Sequence, residues 1–148
     1  MKKGDYSKED KDFMCLTNKS RSASRITELV NFIRLNGYEK IGIASCFSVY
    51  SLAEQLKDLL EKNELEVVIV HCKESSLEAK EISSELNGLS CDPLGQAEFL
   101  NQQNTDFNIN FGLCLGHGLL FQKYSKAPVT TLLVKDACHS HNIMENFS

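Results

Sequence analysis

Three short apolar runs, KIGIASC (40–46), LEVVIVHC (65–72) and FNINFGLC (107–114), each end in cysteine and each leads into a stretch with helix signals. The first two are β-branched and almost continuously apolar, the pattern of a strand buried on both faces, while the third alternates apolar residues with asparagine. VTTLLVKD (129–136) reads as a fourth strand. Strands separated by helices through short links call for parallel pairing and right-handed crossovers. The expected fold is therefore α/β, a three-layer sandwich with about four parallel strands, Rossmann- or flavodoxin-like, in the order 2-1-3-4.

The helices between the strands have their own signals. From Ser24 onwards Ile26, Leu29, Val30 and Ile33 recur at helical spacing, and Gly37 follows as a C-terminal cap. Ser51-Leu-Ala-Glu54 has the form of a capping box ahead of Leu56, Leu59 and Leu60. Ser75-Ser-Leu-Glu78 has the same form, which predicts a helix running towards Asn87-Gly88. Asp92 and Pro93 supply an N-cap and a first helical residue, and GLLFQKYS (118–125) reads as the helix after the third strand. Residues 1–20 lack apolar periodicity and read as a flexible leader, followed by a single α/β domain over 21–148.

Length and charge narrow the function classes. A chain of 148 residues with 42% apolar residues is about one domain and buries a core without staples. With 16 basic against 20 acidic residues the net charge is −4, and no basic stripe of the kind that neutralises phosphates is present. Nucleic acid is not an expected partner. The start, MKKGDYSKEDKDFMC, is charged, and no apolar run reaches the length of a membrane span. A soluble, cytoplasmic protein without a membrane partner is expected; protein partners are not legible.

The cysteines are the unusual feature. There are six (15, 46, 72, 91, 114 and 138), none in a CxxC pair, and the cytosol does not favour disulfides. Cys46, Cys72 and Cys114 close strands, and Cys91 stands just before a helix N-terminus. In an open parallel sheet these positions share the edge where ligands bind, and with order 2-1-3-4 three of them flank the switch point. Helix N-termini at that edge favour the thiolate, the form that binds metal or attacks carbon. A single cysteine at a strand end is ordinarily a small core residue; four on one edge point to a shared centre. Thiolates select zinc, cuprous copper or iron–sulfur clusters, and His117 and His141 offer nitrogen donors. Ligands from three adjacent strands span roughly 10 Å at the backbone, whereas a tetrahedral zinc holds its sulfurs about 3.8 Å apart. The spacing leans towards an iron–sulfur cluster, with a zinc ion close behind.

GLCLGHG (112–118) supports a different class. Gly112-x-Cys114-x-Gly116 has the spacing of a nucleophile elbow, and Asp136 followed by His139 or His141 has the order of a hydrolase triad. The alternative is thus a cysteine-nucleophile hydrolase or acyl transferase with Cys114 as nucleophile and His141 or His139 as base. Four strands leave little room for the insertions such enzymes carry, and three cysteines stay idle. His71-Cys72 does not begin a phosphate loop, since Lys73-Glu-Ser-Ser-Leu-Glu78 lacks the glycine and arginine. ASCFSVYS contains no dinucleotide-binding glycine. Cys15, Cys138, His139 and His141 receive no firm role.

Residues 24–142 resemble a family of uncharacterised prokaryotic proteins described as predicted metal-binding proteins, a domain of unknown function. The resemblance rests on Cys46 and Cys72 closing strands, Cys91 before Asp92-Pro93, Gly112-Leu-Cys-Leu-Gly-His117, Lys126-Ala-Pro-Val129 and His141-Asn142. It implies a metal site at Cys46, Cys72, Cys91 and Cys114, with His117 as an additional or supporting ligand, and names no reaction. Many members carry a cysteine-rich stretch ahead of the first helix where this chain has Cys15 alone, and Asp92 replaces a more usual asparagine.

Overall fold

The computed structural model describes all 148 residues, in two compact units, Met1–Glu39 and Lys40–Ser148. The first unit is a helical pair. Helix α1 (Lys8–Ser20) occupies most of the segment expected to be a leader without secondary structure. The signal for it is local and polar: Ser7 and Asp10 form a reciprocal capping box, each side chain accepting from the other's backbone N–H. Helix α2 (Arg25–Leu35) starts at Ser24 as expected, its hydroxyl accepting from Thr27 N. Asn36 is its C-cap and Gly37 follows with φ +68°, where Gly37 N and Tyr38 N return to the carbonyls of Arg34 and Ile33. Phe13 packs edge-on against Phe32, and Asn31 Nδ2 donates to Ser20 O, closing the pair. The compact units divide after α2, whereas the sequence reading placed its boundary near residue 20.

The second unit is α/β. Strands β1 (Lys40–Ser45), β2 (Glu66–His71), β3 (Phe107–Phe111) and β4 (Val129–Leu133) form one parallel sheet in the order β2-β1-β3-β4. Helix α3 (Tyr50–Lys62) links β1 to β2, whereas α5 (Pro93–Gln102) and α6 (Leu115–Tyr124) lie on the connections that run back past β1 to β3 and β4. Right-handed crossovers in opposite directions put α3 on one face and α5 and α6 on the other, the layering of a three-layer sandwich. Ile41, Ile43 and Ile109 are fully buried in the two central strands, with Leu60 of α3, Leu100 of α5 and Phe121 of α6 equally buried.

The asparagines that alternate along β3 are buried too, and their amides are satisfied. Asn108 Oδ1 accepts from Thr105 Oγ1 at 2.7 Å and Nδ2 donates to Ser125 Oγ; Asn110 Oδ1 accepts from Leu113 N, and Nδ2 donates to Thr131 Oγ1. Strand β3, for all its alternation of apolar residues with asparagine, is thereby buried on both faces.

Two capping expectations are also corrected. Helix α3 is entered through a 3₁₀ turn, Phe47–Val49, with Val49 as N-cap, so Ser51 and Glu54 are already helical. The helix expected after β2 shrinks to α4 (Ala79–Ile82), capped by Glu78 with Glu81, and Ser75 donates instead to Asp92 at 2.6 Å. An antiparallel bridge between Glu78 and Leu89 competes with helix here, folding residues 83–92 back along the chain.

Candidate functional site

The carboxyl edge of the sheet is built by continuing the strand ladders. Cys46 N donates to Phe111 O, and Cys72 N to Ser45 O, so both cysteines are fixed by pairing just past the strand ends. Asp92 N donates to Cys72 O at 2.7 Å, which brings Cys91 beside Cys72 from a distant stretch of chain. Asp92 then caps α5 by accepting from Gly95 N at 2.8 Å, as expected. On β3, Gly112 takes φ +71°, a left-handed conformation that suits glycine, and Asn110 holds Leu113 N; Cys114 follows as the N-cap of α6.

Four cysteines from four segments thus form a line of neighbours. The Cys72 sulfur, buried, accepts from Phe47 N at 3.3 Å. Burial, with the adjacent Cys91 thiol and the Cys46 sulfur opposing negative charge, pushes its pKa up to about 12 despite that bond. Cys46 goes the other way. Burial opposes its ionisation, but the Ser48 hydroxyl at 3.2 Å and the Lys135 ammonium at 3.0 Å outweigh that and hold its pKa below the ordinary thiol value. Lys135 Nζ also lies 3.5 Å from Cys114 Sγ, so one ammonium bridges two thiols. The hydrogen bond to Cys46 raises the lysine's own pKa against the opposing effect of burial. A cleft of about 200 Å3 opens beside Cys72, lined by His71, Glu74, Asp92, Gln96 and Phe99 among others. Gln96 Nε2 donates to Ser45 O and Val70 O, while its Oε1 is buried without a partner.

His117 stands half-buried in the first turn of α6. Cys114 has a relaxed extended backbone, φ −56° and ψ 151°, where a nucleophile elbow requires a strained one. Its polar partner is Lys135, not an imidazole. His141 Nδ1 accepts from Asp136 N, and His139 Nδ1 pairs with Asp136 at 3.1 Å. The expected order Cys, Asp, His therefore does not assemble around Cys114. Cys15 is exposed on α1, in the other compact unit. His71 is held edge-on by Phe47 and Tyr50, with Nδ1 accepting from Lys73 N.

Sequence reasoning missed Lys135 and the grouping of Asp136, Cys138 and His139. These last three are the carboxylate, thiol and imidazole whose donor atoms all lie within 4.8 Å of one another. A lysine directly preceding Asp136 at the end of a strand aimed at a cysteine-lined edge was the available signal for the first. The thiol line and this trio are both compatible with metal binding.

Comparison with known proteins places matches across most of the chain. Residues 6–132 match the family model described as "Protein of unknown function (DUF1847)". The match takes in α1, the first three strands and β4 except Leu133, and stops short of His141-Asn142, which the sequence resemblance includes. An uncharacterized protein of Methanocaldococcus jannaschii, MJ0455, is 45% identical over 124 residues, covering 80% of this chain and 64% of its own length. No helix is long and apolar enough to cross a membrane.

Proposed function

This chain belongs to the DUF1847 family, and we propose that it is a metal-binding protein whose Cys46, Cys72, Cys91 and Cys114 thiolates hold an iron–sulfur cluster or a zinc ion. The observation that carries this reading is the meeting of cysteines from distant segments at the carboxyl edge of the sheet, where backbone pairing sets Cys46, Cys72 and Cys91 side by side and burial, with the neighbouring sulfurs, makes ionisation of Cys72 costly. Thiols crowded in this way repel one another as anions and are relieved by a cation in their midst. The chain already places one positive charge there, the Lys135 ammonium between Cys46 and Cys114. The donor set is all sulfur, which suits soft or borderline metals. The compact donor trio of the molecule lies elsewhere, at Asp136, Cys138 and His139. Ligands drawn from three adjacent strands span roughly 10 Å at the backbone, which favours the larger cluster over zinc. When bound, a cluster supplies one-electron redox chemistry, and a zinc ion supplies structural or Lewis-acid chemistry. His117 is at most a supporting residue.

Redox, sensing or metal-handling work in the cytoplasm, with neither nucleic acid nor membrane as partner, completes the reading. A second reading, thiol-dependent catalysis, is favoured by the lowered Cys46 pKa beside Ser48 and Lys135, and it puts the nucleophile at Cys46 instead of Cys114. Anaerobic purification followed by iron, sulfide and zinc analysis separates these. Iron with acid-labile sulfide, or stoichiometric zinc, lost in Cys46→Ala and Cys72→Ala, is the expected result. A metal-free protein, or metal retained by both variants, overturns the proposal; rapid alkylation confined to Cys46 in metal-free protein then points to the catalyst.

A further inference from the structure

The loop after β4 carries a second constellation that the thiol line does not use. Asp136 opens a short 3₁₀ turn, Ala137–His139. Three residues per turn eclipse side chains three apart, so Asp136 and His139 meet on one side with Cys138 next to them. Ser140 and His141 take φ 51° and 66°, turning the chain back so that His141 N donates to Asp136 O at 2.8 Å. The three donor atoms form a nearly equilateral face. Cys138 Sγ is 3.3 Å from Asp136 Oδ1 and 3.2 Å from His139 Nδ1, and His139 Nδ1 is 3.2 Å from Asp136 Oδ1.

A tetrahedral zinc-type ion sets sulfur, nitrogen and oxygen donors roughly 3.3–3.6 Å apart. The observed face needs to open by only a few tenths of an ångström. We propose that Asp136 Oδ1, Cys138 Sγ and His139 Nδ1 form a separate surface site for a divalent transition ion such as zinc or cobalt(II), with one coordination position left open. The carboxylate is prepared for this. Asn146 Nδ2 donates to Asp136 Oδ2 at 2.6 Å, and His139 Nδ1 also lies 3.1 Å from that oxygen, whereas Oδ1 is the oxygen that faces both Cys138 Sγ and His139 Nδ1 and would take the metal. The imidazole His141 braces the loop instead of completing the shell. Its Nδ1 accepts from Asp136 N, so the neutral ring carries its proton on Nε2 and offers no lone pair there. Three protein ligands with a vacant fourth position is the pattern of an exchanging or catalytic site, whereas structural sites are closed by four. Mixed sulfur, nitrogen and oxygen donors suit zinc and cobalt(II) and disfavour magnesium or calcium. The site lies beyond residues 6–132, the span of the family match.

The test uses the reduced, chelator-stripped full chain and residue-resolved N-ethylmaleimide labelling, with Cys15 as an internal control because it is the other exposed cysteine. Added zinc should slow labelling of Cys138 about tenfold or more by occupying its thiolate, with Cys15 unchanged. Magnesium should protect neither. His139→Ala and Asp136→Asn should each abolish the protection, and Asn146→Ala should weaken the zinc concentration dependence about 10–100-fold. Equal slowing of Cys15 and Cys138, no slowing, or protection that persists in both His139→Ala and Asp136→Asn overturns the proposal. Labelling of Cys46, Cys72, Cys91 and Cys114 in the same spectra reports the thiol line separately, so failure of one site is distinguishable from failure of the other.

Discussion

Raising the pH should destabilise the metal-free protein through Cys72. Its thiol pKa moves from 9.0 to about 12 because it is buried and flanked by Cys91 and Cys46. Below about pH 9 the thiol is protonated in both folded and unfolded chains and its contribution is constant. Above that, the unfolded chain gains free energy by ionising while the folded chain does not, until the pH passes the folded value. A gap of about three units corresponds to roughly 4 kcal/mol in full, and about 2 kcal/mol is already lost near pH 10.5. Other groups titrate in the same window with their own signs. Lys135, raised by Cys46, also loses stability as pH climbs through its folded value; Cys46, lowered by Ser48 and Lys135 against burial, gains stability up to the ordinary thiol range. The informative quantity is therefore the difference between wild type and Cys72→Ala, in which the lost sulfur contact is a constant offset. Urea unfolding of both proteins, reduced and with chelator, at several pH values between 8 and 11 measures it. Identical pH dependence in the two proteins would refute the crowding argument. Loading with metal should remove the alkaline loss in the wild type, since a cation stabilises the thiolate that burial penalises.

Other expectations bear on parts of the same edge. Lys135→Met removes the ammonium 3.0 Å from Cys46, so the pH profile of Cys46 alkylation in metal-free protein should shift upward and the rate near neutrality fall several-fold; an unchanged profile would show that Ser48 alone holds the thiol down. Asp92→Ala removes the cap on Gly95 N and the acceptor for Ser75 Oγ, and should cost about 1 kcal/mol in thermal or urea unfolding. Gly42→Ala should cost about 1–3 kcal/mol, because a Cβ there falls on Asn108 Oδ1 and comes within 2.8 Å of Leu100 Cδ1 in the packed face under α5; a wild-type midpoint would mean that this face is looser than the contacts imply.

The sequence by itself determined what periodicity and chain connectivity control. Apolar runs of strand length separated by helical spacing leave few alternatives to parallel strands joined by right-handed crossovers, a rule that sets the face each helix covers; the order 2-1-3-4 was one choice among those left, and strand pairing decides it as β2-β1-β3-β4. Asp92-Pro93 and Ser24 marked helix starts because capping is decided within four residues. Ser75 and Ser51 misled for the complementary reason: the same local signal was overruled, in one case by a bridge between Glu78 and Leu89 and in the other by an intervening 3₁₀ turn. The placement of Cys46, Cys72 and Cys114 past strand ends was legible, since strand ends are local. Which side chains meet there was not. Between Asn110 and Phe111 the pairing with β4 skips a residue, Thr131 facing Asn110 and Leu133 facing Phe111. A one-residue slip reverses the facing of everything that follows, because strand side chains alternate with a period of two. Lys135, two residues beyond Leu133, owes its position between Cys46 and Cys114 to that irregularity, and only the tertiary pairing of β3 with β4 could decide it.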